Sequence, residues 1–124
     1  MPNTRPVHLN LLKIRFPIGA IMSIIHRATG IFMFLALPYL IYLLDLSLGS
    51  ADGYAQASAQ LHSWFGSLWL LGLMWALMHH LLAGIRYLLI DADVGVEKPL
   101  ARQTAWLVTI VGPILGLLLT WGLL

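Results

Sequence analysis

Cysteine is absent from this chain, and charged residues are scarce, since only 10% of the 124 residues are Asp, Glu, Lys or Arg. Without cysteine the chain forms no disulfide, supplies no thiolate to a metal or an iron–sulfur cluster, and attaches no c-type haem. A soluble globular domain carries about 25% charged residues, so the low charge argues against that class. The net charge of +2 and the lack of any Lys/Arg run also predict no nucleic-acid partner.

Apolar residues dominate the composition. They make up 60% of the sequence, and the mean hydropathy is +0.85. Three apolar segments reach the length of about 20 residues that a helix needs to cross a bilayer, namely 18–48, 64–90 and 104–124. The sequence therefore predicts an all-α integral membrane protein with one transmembrane domain over 1–124. Between the first two spans, Gly53–His62 is a candidate for a short interfacial helix, whereas Asp91–Gln103 is expected to be a charged connection.

The distribution of basic residues predicts the orientation in the membrane. All seven lysines and arginines precede the first span, lie between the second and third, or occupy the adjoining helix ends, and the loop Gly49–Ser63 has none. Because cytoplasmic loops carry the Lys/Arg excess, we expect a short cytoplasmic N-terminal segment and a periplasmic C-terminus. The first two spans then run in opposite directions, so Ser23–Arg27 and Arg86–Asp91 share the cytoplasmic end. His80 is about 16 Å deeper than Asp91, at about 1.5 Å per helical residue.

Ionisable residues stand at the start of the first span. An arginine at the centre of a membrane helix costs roughly 2.5–3.5 kcal/mol and is rarely left without a partner. Ser23 and Arg27 are four residues apart and share a helix face, with His26 beside them. A hydroxyl and a guanidinium can bind a carbonyl oxygen and stabilise charge that develops on it during reduction. Arg27 and His26 could equally pair with a carboxylate such as a haem propionate, or Arg27 could extend to the inner headgroups and anchor the helix.

A histidine pair, His79-His80, lies inside the second span. Such histidines can ligate haem or a metal, relay protons, or simply bond a neighbouring helix. Ala76 and Gly84 lie four residues either side of His80, with Gly72 one turn further. This flat stripe suits a broad macrocycle or the backbone of another helix, and spacing alone does not choose between them. His79 has a bulkier face, so His80 is the better candidate for an axial ligand.

Most acidic and aromatic residues near the span ends are explained by their position at the membrane boundary, without a role in binding or catalysis. Asp91 and Asp93 close the second span and can cap the cytoplasmic boundary. Asp91 is also a candidate for an ion pair or proton transfer near Arg27, because both lie on the same side. The tryptophans fall mostly near span ends, as in the aromatic belt of a membrane protein.

At these positions the chain resembles the cytochrome b membrane anchors of bacterial succinate dehydrogenase (respiratory complex II). Arg5–Leu9 matches the family's "RP-x-x-L" block. Pro17 and Ser23–Gly30 match its "P…S-I-x-H-R-x-[ST]-G" signature, and His80–Asp91 matches "H-x-x-x-G-I-R-H-x-x-x-D". The matches extend over nearly the whole chain. One position differs, because Tyr87 stands where the family has histidine after Gly-Ile-Arg.

The resemblance implies a fold and a set of cofactor sites. Three transmembrane helices would pack against a second three-helix subunit and hold one haem b between the two chains. His80 would be one axial ligand of the haem iron, and the second subunit would supply the other. His26 and Arg27 would contact the haem propionates. Ser23 and Arg27 would bind ubiquinone on the cytoplasmic side, with Asp91 as a candidate for support of that site.

The resemblance also implies a function and further partners. The chain would pass electrons from an iron–sulfur subunit to quinone in the tricarboxylic acid cycle and the respiratory chain, while a flavoprotein subunit oxidises succinate. It would not oxidise succinate alone. Alternatives are the anchor of a quinol:fumarate reductase, or a non-redox structural protein whose His and Arg only join helices. Since Met1–Arg15 resembles neither a signal nor a transit peptide, we expect a bacterial inner membrane.

Overall fold

The computed structural model describes residues 13–124, and every regular element within that range is an α-helix. Four helices follow one another along it, α1 (Ile18–Gly49), α2 (Ala51–His62), α3 (Trp64–Asp91) and α4 (Lys98–Leu123). Helices α1, α3 and α4 are long and apolar enough to cross a membrane. The expected all-α membrane fold with three spans is therefore confirmed. The N-terminal block at Arg5–Leu9 lies outside the described residues.

Helix α1 buries a single narrow stripe. Pro17 precedes the helix in an extended conformation (φ −64°, ψ 153°), and Pro38 lies inside it. The buried residues recur at every seventh position, and they are Met22, Thr29, Ala36 and Leu43. The other faces of α1 carry large exposed apolar side chains. So much exposed apolar surface suits contact with lipid or with another membrane helix.

The predicted short helix between the first two spans is confirmed, and it begins at Ala51. Ser50 and Ser63 cap α2 and α3, because each side-chain oxygen accepts a hydrogen bond from a glycine N–H, at 2.9 and 3.0 Å. The Tyr39 hydroxyl of α1 donates to Gln60 Oε1 of α2 at 3.2 Å. These bonds hold the short helix against the end of α1.

Glycines let α3 and α4 approach closely. A Cβ at Gly112 would lie 3.1 Å from the Cα of His79, and a Cβ at Gly116 would lie 2.6 Å from the Cα of Trp75. Small residues at this spacing are the usual means by which membrane helices bring their backbones together. Helix α3 also packs along α1, so it forms the centre of the bundle.

Helix α4 begins at Lys98, so the expectation that Asp91–Gln103 is a connection is wrong for its last part. The expected span 104–124 omitted the first turns because they are charged, yet a helix does not need apolar residues where it leaves the hydrocarbon. Pro99 suits the first turn, where its missing N–H would be unpaired anyway. The Arg86 guanidinium of α3 donates to two acceptors in these turns, at 2.8 and 3.0 Å, and fixes them in place.

The two ends of the bundle differ in charge. The start of α1, the end of α3 and the start of α4 meet at one end, because α3 runs antiparallel to both neighbours. Within residues 13–124 every lysine and arginine lies at or towards this end, which we call the basic end. The basic residues are Lys13, Arg15, Arg27, Arg86, Lys98 and Arg102. The opposite end, which includes α2, is here called the neutral end.

Candidate functional site

His80 is held by the backbone of α1. Its Nδ1 lies 2.9 Å from the carbonyl oxygen of His26 and 3.3 Å from Thr29 Oγ1, and that threonine hydroxyl also donates to the His26 carbonyl. Because a carbonyl only accepts, the contact assigns the ring proton to Nδ1 and leaves a lone pair on Nε2. Ligating histidines usually donate their second ring N–H to a carbonyl or carboxylate. The imidazole of His80 is therefore arranged as a haem-ligating imidazole would be.

The close approach of α1 to α3 positions the two imidazoles. The rings of His26 and His80 stack with centroids 3.9 Å apart and an interplanar angle of 13°. A Cβ at Gly30 would lie 2.9 Å from Cε1 of His80, so a larger residue there would force this ring to shift. Two small residues of the α3 stripe, Gly72 and Gly84, face Phe32 and His26 of α1. The stripe could accommodate either a macrocycle or another helix, and these contacts show that α1 packs on it.

His79 has a different environment from His80. It is 1% exposed and lies on the α4 side of α3, where Gly112 packs on its backbone. Within the described residues neither of its ring nitrogens has a hydrogen-bond partner. It lines a largely apolar cavity of about 660 Å³ together with Trp75 and Pro113. No carbonyl holds this ring, so His80 fits the role of axial ligand better than His79.

Ser23 and Arg27 lie together towards the basic end. Arg27 Nη2 is 3.5 Å from Ser23 Oγ, and Nε is 3.4 Å from the Ser23 carbonyl oxygen. Both distances are at the long limit of a hydrogen bond, so these contacts hold the guanidinium only weakly. Arg27 is exposed, while Ser23 and His26 are half-buried on the same two turns of α1. The structure thus brings a hydroxyl and a weakly held cation to one surface, as expected from their spacing.

Asp91 is not joined to this group. It is the last residue of α3 and is exposed, and no hydrogen bond links it to Ser23 or Arg27. Its support of a quinone site stays a prediction. Tyr87, by contrast, sits edge-on to the His26 ring with centroids 5.3 Å apart, and its buried hydroxyl has no partner among the described residues.

Thr29 is the site residue that sequence reasoning missed. It is 2% exposed, and its hydroxyl reaches both the His26 carbonyl and the ring of His80. The sequence marks this threonine in two ways, by its position three residues after His26 and by its place at the [ST] position of the matched signature. Neither gave it a role. Its partner on another helix could not be read from that pattern.

Comparison with known proteins identifies the family. Residues 1–119 match the model of the succinate dehydrogenase/fumarate reductase transmembrane subunit. Among curated relatives, the succinate dehydrogenase cytochrome b556 subunit of Paracoccus denitrificans is 37% identical over 82% of this chain and 78% of that protein. The subunit of the same name from Coxiella burnetii is 38% identical over 86% of each. That from Rickettsia conorii is 31% identical over 96% and 92%. The chain therefore belongs to the succinate dehydrogenase/fumarate reductase transmembrane subunit family and is a multi-pass membrane protein.

Proposed function

We propose that this chain is the haem b- and ubiquinone-binding anchor of a bacterial succinate dehydrogenase. The observation that carries the proposal is the contact between His80 Nδ1 and the His26 carbonyl, which leaves Nε2 as a ligand. The relatives are named cytochrome b556 subunits of succinate dehydrogenase, which supports both the haem and the complex. The chain would act as a subunit of the enzyme and would not oxidise succinate itself.

His80, His26 and Arg27 would hold the haem. His80 Nε2 would ligate the iron, and a histidine of a second three-helix subunit would supply the other axial ligand. The carbonyl of His26 keeps the His80 ring oriented and its proton on Nδ1. Arg27 and the ring of His26 are suited to bind the propionates, because both can donate hydrogen bonds to a carboxylate. When bound, the haem supplies a one-electron carrier within the membrane.

Ser23 and Arg27 would bind the quinone. The hydroxyl and the guanidinium lie 3.5 Å apart, so one carbonyl oxygen can accept from both. That oxygen gains negative charge on reduction, and donors already in place stabilise the reduced form more than the oxidised form. The weak contact between the two side chains leaves both free to turn to a ligand.

The basic end would face the cytoplasm and receive the iron–sulfur subunit, to which a flavoprotein subunit would attach. Basic residues at this end and their absence from the neutral end support that orientation within residues 13–124. The exposed apolar faces of α1 suit contact with the second anchor subunit and with lipid. An electron from the soluble subunits would then reach Ser23 and Arg27 without crossing the membrane.

The anchor of a quinol:fumarate reductase is the second candidate, because the matching family model includes fumarate reductases by name. It would use the same residues with electrons flowing in reverse. The names of the relatives favour the succinate dehydrogenase direction. The ratio of succinate:quinone to quinol:fumarate activity in purified complex separates the two.

An absorption spectrum of the purified complex tests the haem assignment. Reduction with dithionite should produce the sharp α-band of a b-type haem, with one haem for each copy of this chain. A complex without such a band would contradict the haem assignment, and a complex that also failed to reduce quinone would favour the non-redox structural protein. Succinate should reduce quinone in the same preparation, and the absence of that reaction would contradict the quinone assignment.

A further inference from the structure

A cavity at the basic end is not used by the proposed haem and quinone sites. It has a volume of about 660 Å³ and lies between the segment that leads into α1, the end of α3 and the first turns of α4. Neither Ser23, His26, Arg27 nor His80 lines it. The cavity is therefore separate from those two proposed sites.

Four cations line this cavity, and no carboxylate does. They are Arg15, Arg86, Lys98 and Arg102. Arg86 is occupied by its hydrogen bonds to Ala101 and Thr104, whereas the other three side chains are exposed. The nearby acids of the α3–α4 connection are not among the lining residues. Such a concentration of positive charge favours an anionic ligand.

The rest of the lining is apolar and leads towards the membrane interior. Phe16, Ile18 and Ile21 form the wall contributed by the α1 side, and Trp106 of α4 is half-exposed beside them. Trp106 is eight residues after Lys98, so it lies about 12 Å further along the helix axis. Tryptophan at that depth is typical of the headgroup boundary. A free anion such as phosphate would use only the charged half of this cavity, whereas a phospholipid would use both halves.

We propose that this cavity binds an anionic phospholipid, with its phosphate among Arg15, Lys98 and Arg102. The part of its acyl chains nearest the headgroup would lie against Phe16 and Trp106. Basic pockets between helices at the cytoplasmic face are suited to such headgroups. The bound lipid would fill the space between the start of α1 and the start of α4, and it would stabilise the bundle at this end. The site does not depend on the haem or quinone assignments.

Native mass spectrometry of the purified complex tests this site. The complex is exchanged into nanodiscs that contain phosphatidylglycerol and phosphatidylcholine in equal amounts, released into detergent, and the retained lipids are counted. Lys98→Gln and Arg102→Gln should each lower phosphatidylglycerol retention about fivefold, since one cation contributes roughly that factor at an anionic lipid surface. Lys13→Gln is the matched control, because it removes the same charge from the basic end without touching the cavity. Lys98→Arg should retain the lipid.

Three results would overturn the proposal. Equal retention of phosphatidylcholine would show that charge does not select the ligand. Thermal stabilisation by inorganic phosphate equal to that by phosphatidylglycerol would assign the site to a free anion. Loss of the soluble subunits from Lys98→Gln and Arg102→Gln complexes, with lipid retention unchanged, would instead make the cavity part of a protein interface. Selective loss of phosphatidylglycerol in those two variants, with Lys13→Gln unaffected, supports the lipid site.

Discussion

At the scale of single residues, two adjacent histidines of α3 differ because the helix turns by about 100° between them. His80 meets the backbone carbonyl of His26 at 2.9 Å, whereas His79 faces α4 and has no partner for either ring nitrogen in the described part of the chain. The sequence favoured His80 through its small neighbours. Two of these neighbours, Gly72 and Gly84, face Phe32 and His26 of α1, so the stripe itself serves helix packing. The role of His80 as haem ligand stays a prediction.

Replacing each histidine separately tests the haem ligand. His80→Ala should abolish or strongly perturb the b-type spectrum, because it removes the nitrogen proposed to ligate iron. His79→Ala should largely preserve it, since that ring lies on the α4 side of α3. The measurement is the dithionite-reduced difference spectrum, normalised to the amount of this chain in purified complex. If His79→Ala removed the haem and His80→Ala did not, the tautomer argument would be wrong.

The Ser23 hydroxyl is expected to act on quinone and not on assembly. Ser23→Ala removes one hydrogen bond to a group that becomes charged, worth about 1.5–3 kcal/mol, so quinone reduction should slow by roughly ten- to a hundredfold. Reduction of a soluble dye by succinate should be unchanged, because that reaction bypasses the membrane site. Ser47→Ala is the matched control, since Ser47 lies on the same helix at the neutral end and donates to the Leu44 carbonyl. If the rate of quinone reduction were unchanged in Ser23→Ala, the hydroxyl would have only a role in helix packing.

At the scale of the elements, hydropathy located α1 and α3 to within one residue at each end, because both boundaries coincide with the change from apolar to polar sequence. It placed the start of α4 at Thr104, although the helix begins at Lys98. The first turns of α4 are fixed by bonds from Arg86, a tertiary contact that leaves no periodic signal. The role of Thr29 was missed for the same reason, since its partner His80 lies on another helix.

The contact between α3 and α4 should depend on Gly116. A Cβ at this position would lie 2.6 Å from the Cα of Trp75, and because the obstacle is backbone the two helices must separate. Gly116→Ala should therefore destabilise the complex by about 1–3 kcal/mol. Gly122→Ala, on the same helix with nothing within 4 Å of the added carbon, is the control and should be neutral or slightly stabilising. Thermal unfolding of both complexes in one detergent compares them, and equal midpoints would contradict the packing described.

At the scale of the whole molecule, three spans predict that the segment before α1 and the end of α4 lie on opposite sides of the membrane. The basic end collects every lysine and arginine within residues 13–124, while α2 and the ends of α1 and α3 beside it have none. Such an asymmetry is the strongest determinant of orientation for short loops. The proposed function also requires the basic end to face the cytoplasm, because the soluble subunits must meet Ser23 and Arg27 there. A measurement of membrane topology therefore tests both the orientation predicted from the basic residues and the proposed path of the electrons.

A reporter fused after Leu124 should read as periplasmic, and one inserted after Val94, between α3 and α4, should read as cytoplasmic. Alkaline phosphatase, which is active only outside the cytoplasm, and green fluorescent protein, which folds only inside it, give opposite signals at each site. Replacing exposed Ala51 and Ala55 of α2 with lysine should weaken the preference, because it adds positive charge to the end that must cross the membrane. The reverse pattern in the unmodified chain would place Ser23 and Arg27 on the periplasmic side. An iron–sulfur protein in the cytoplasm would be unable to reach them there, so the proposed quinone site would have to be abandoned.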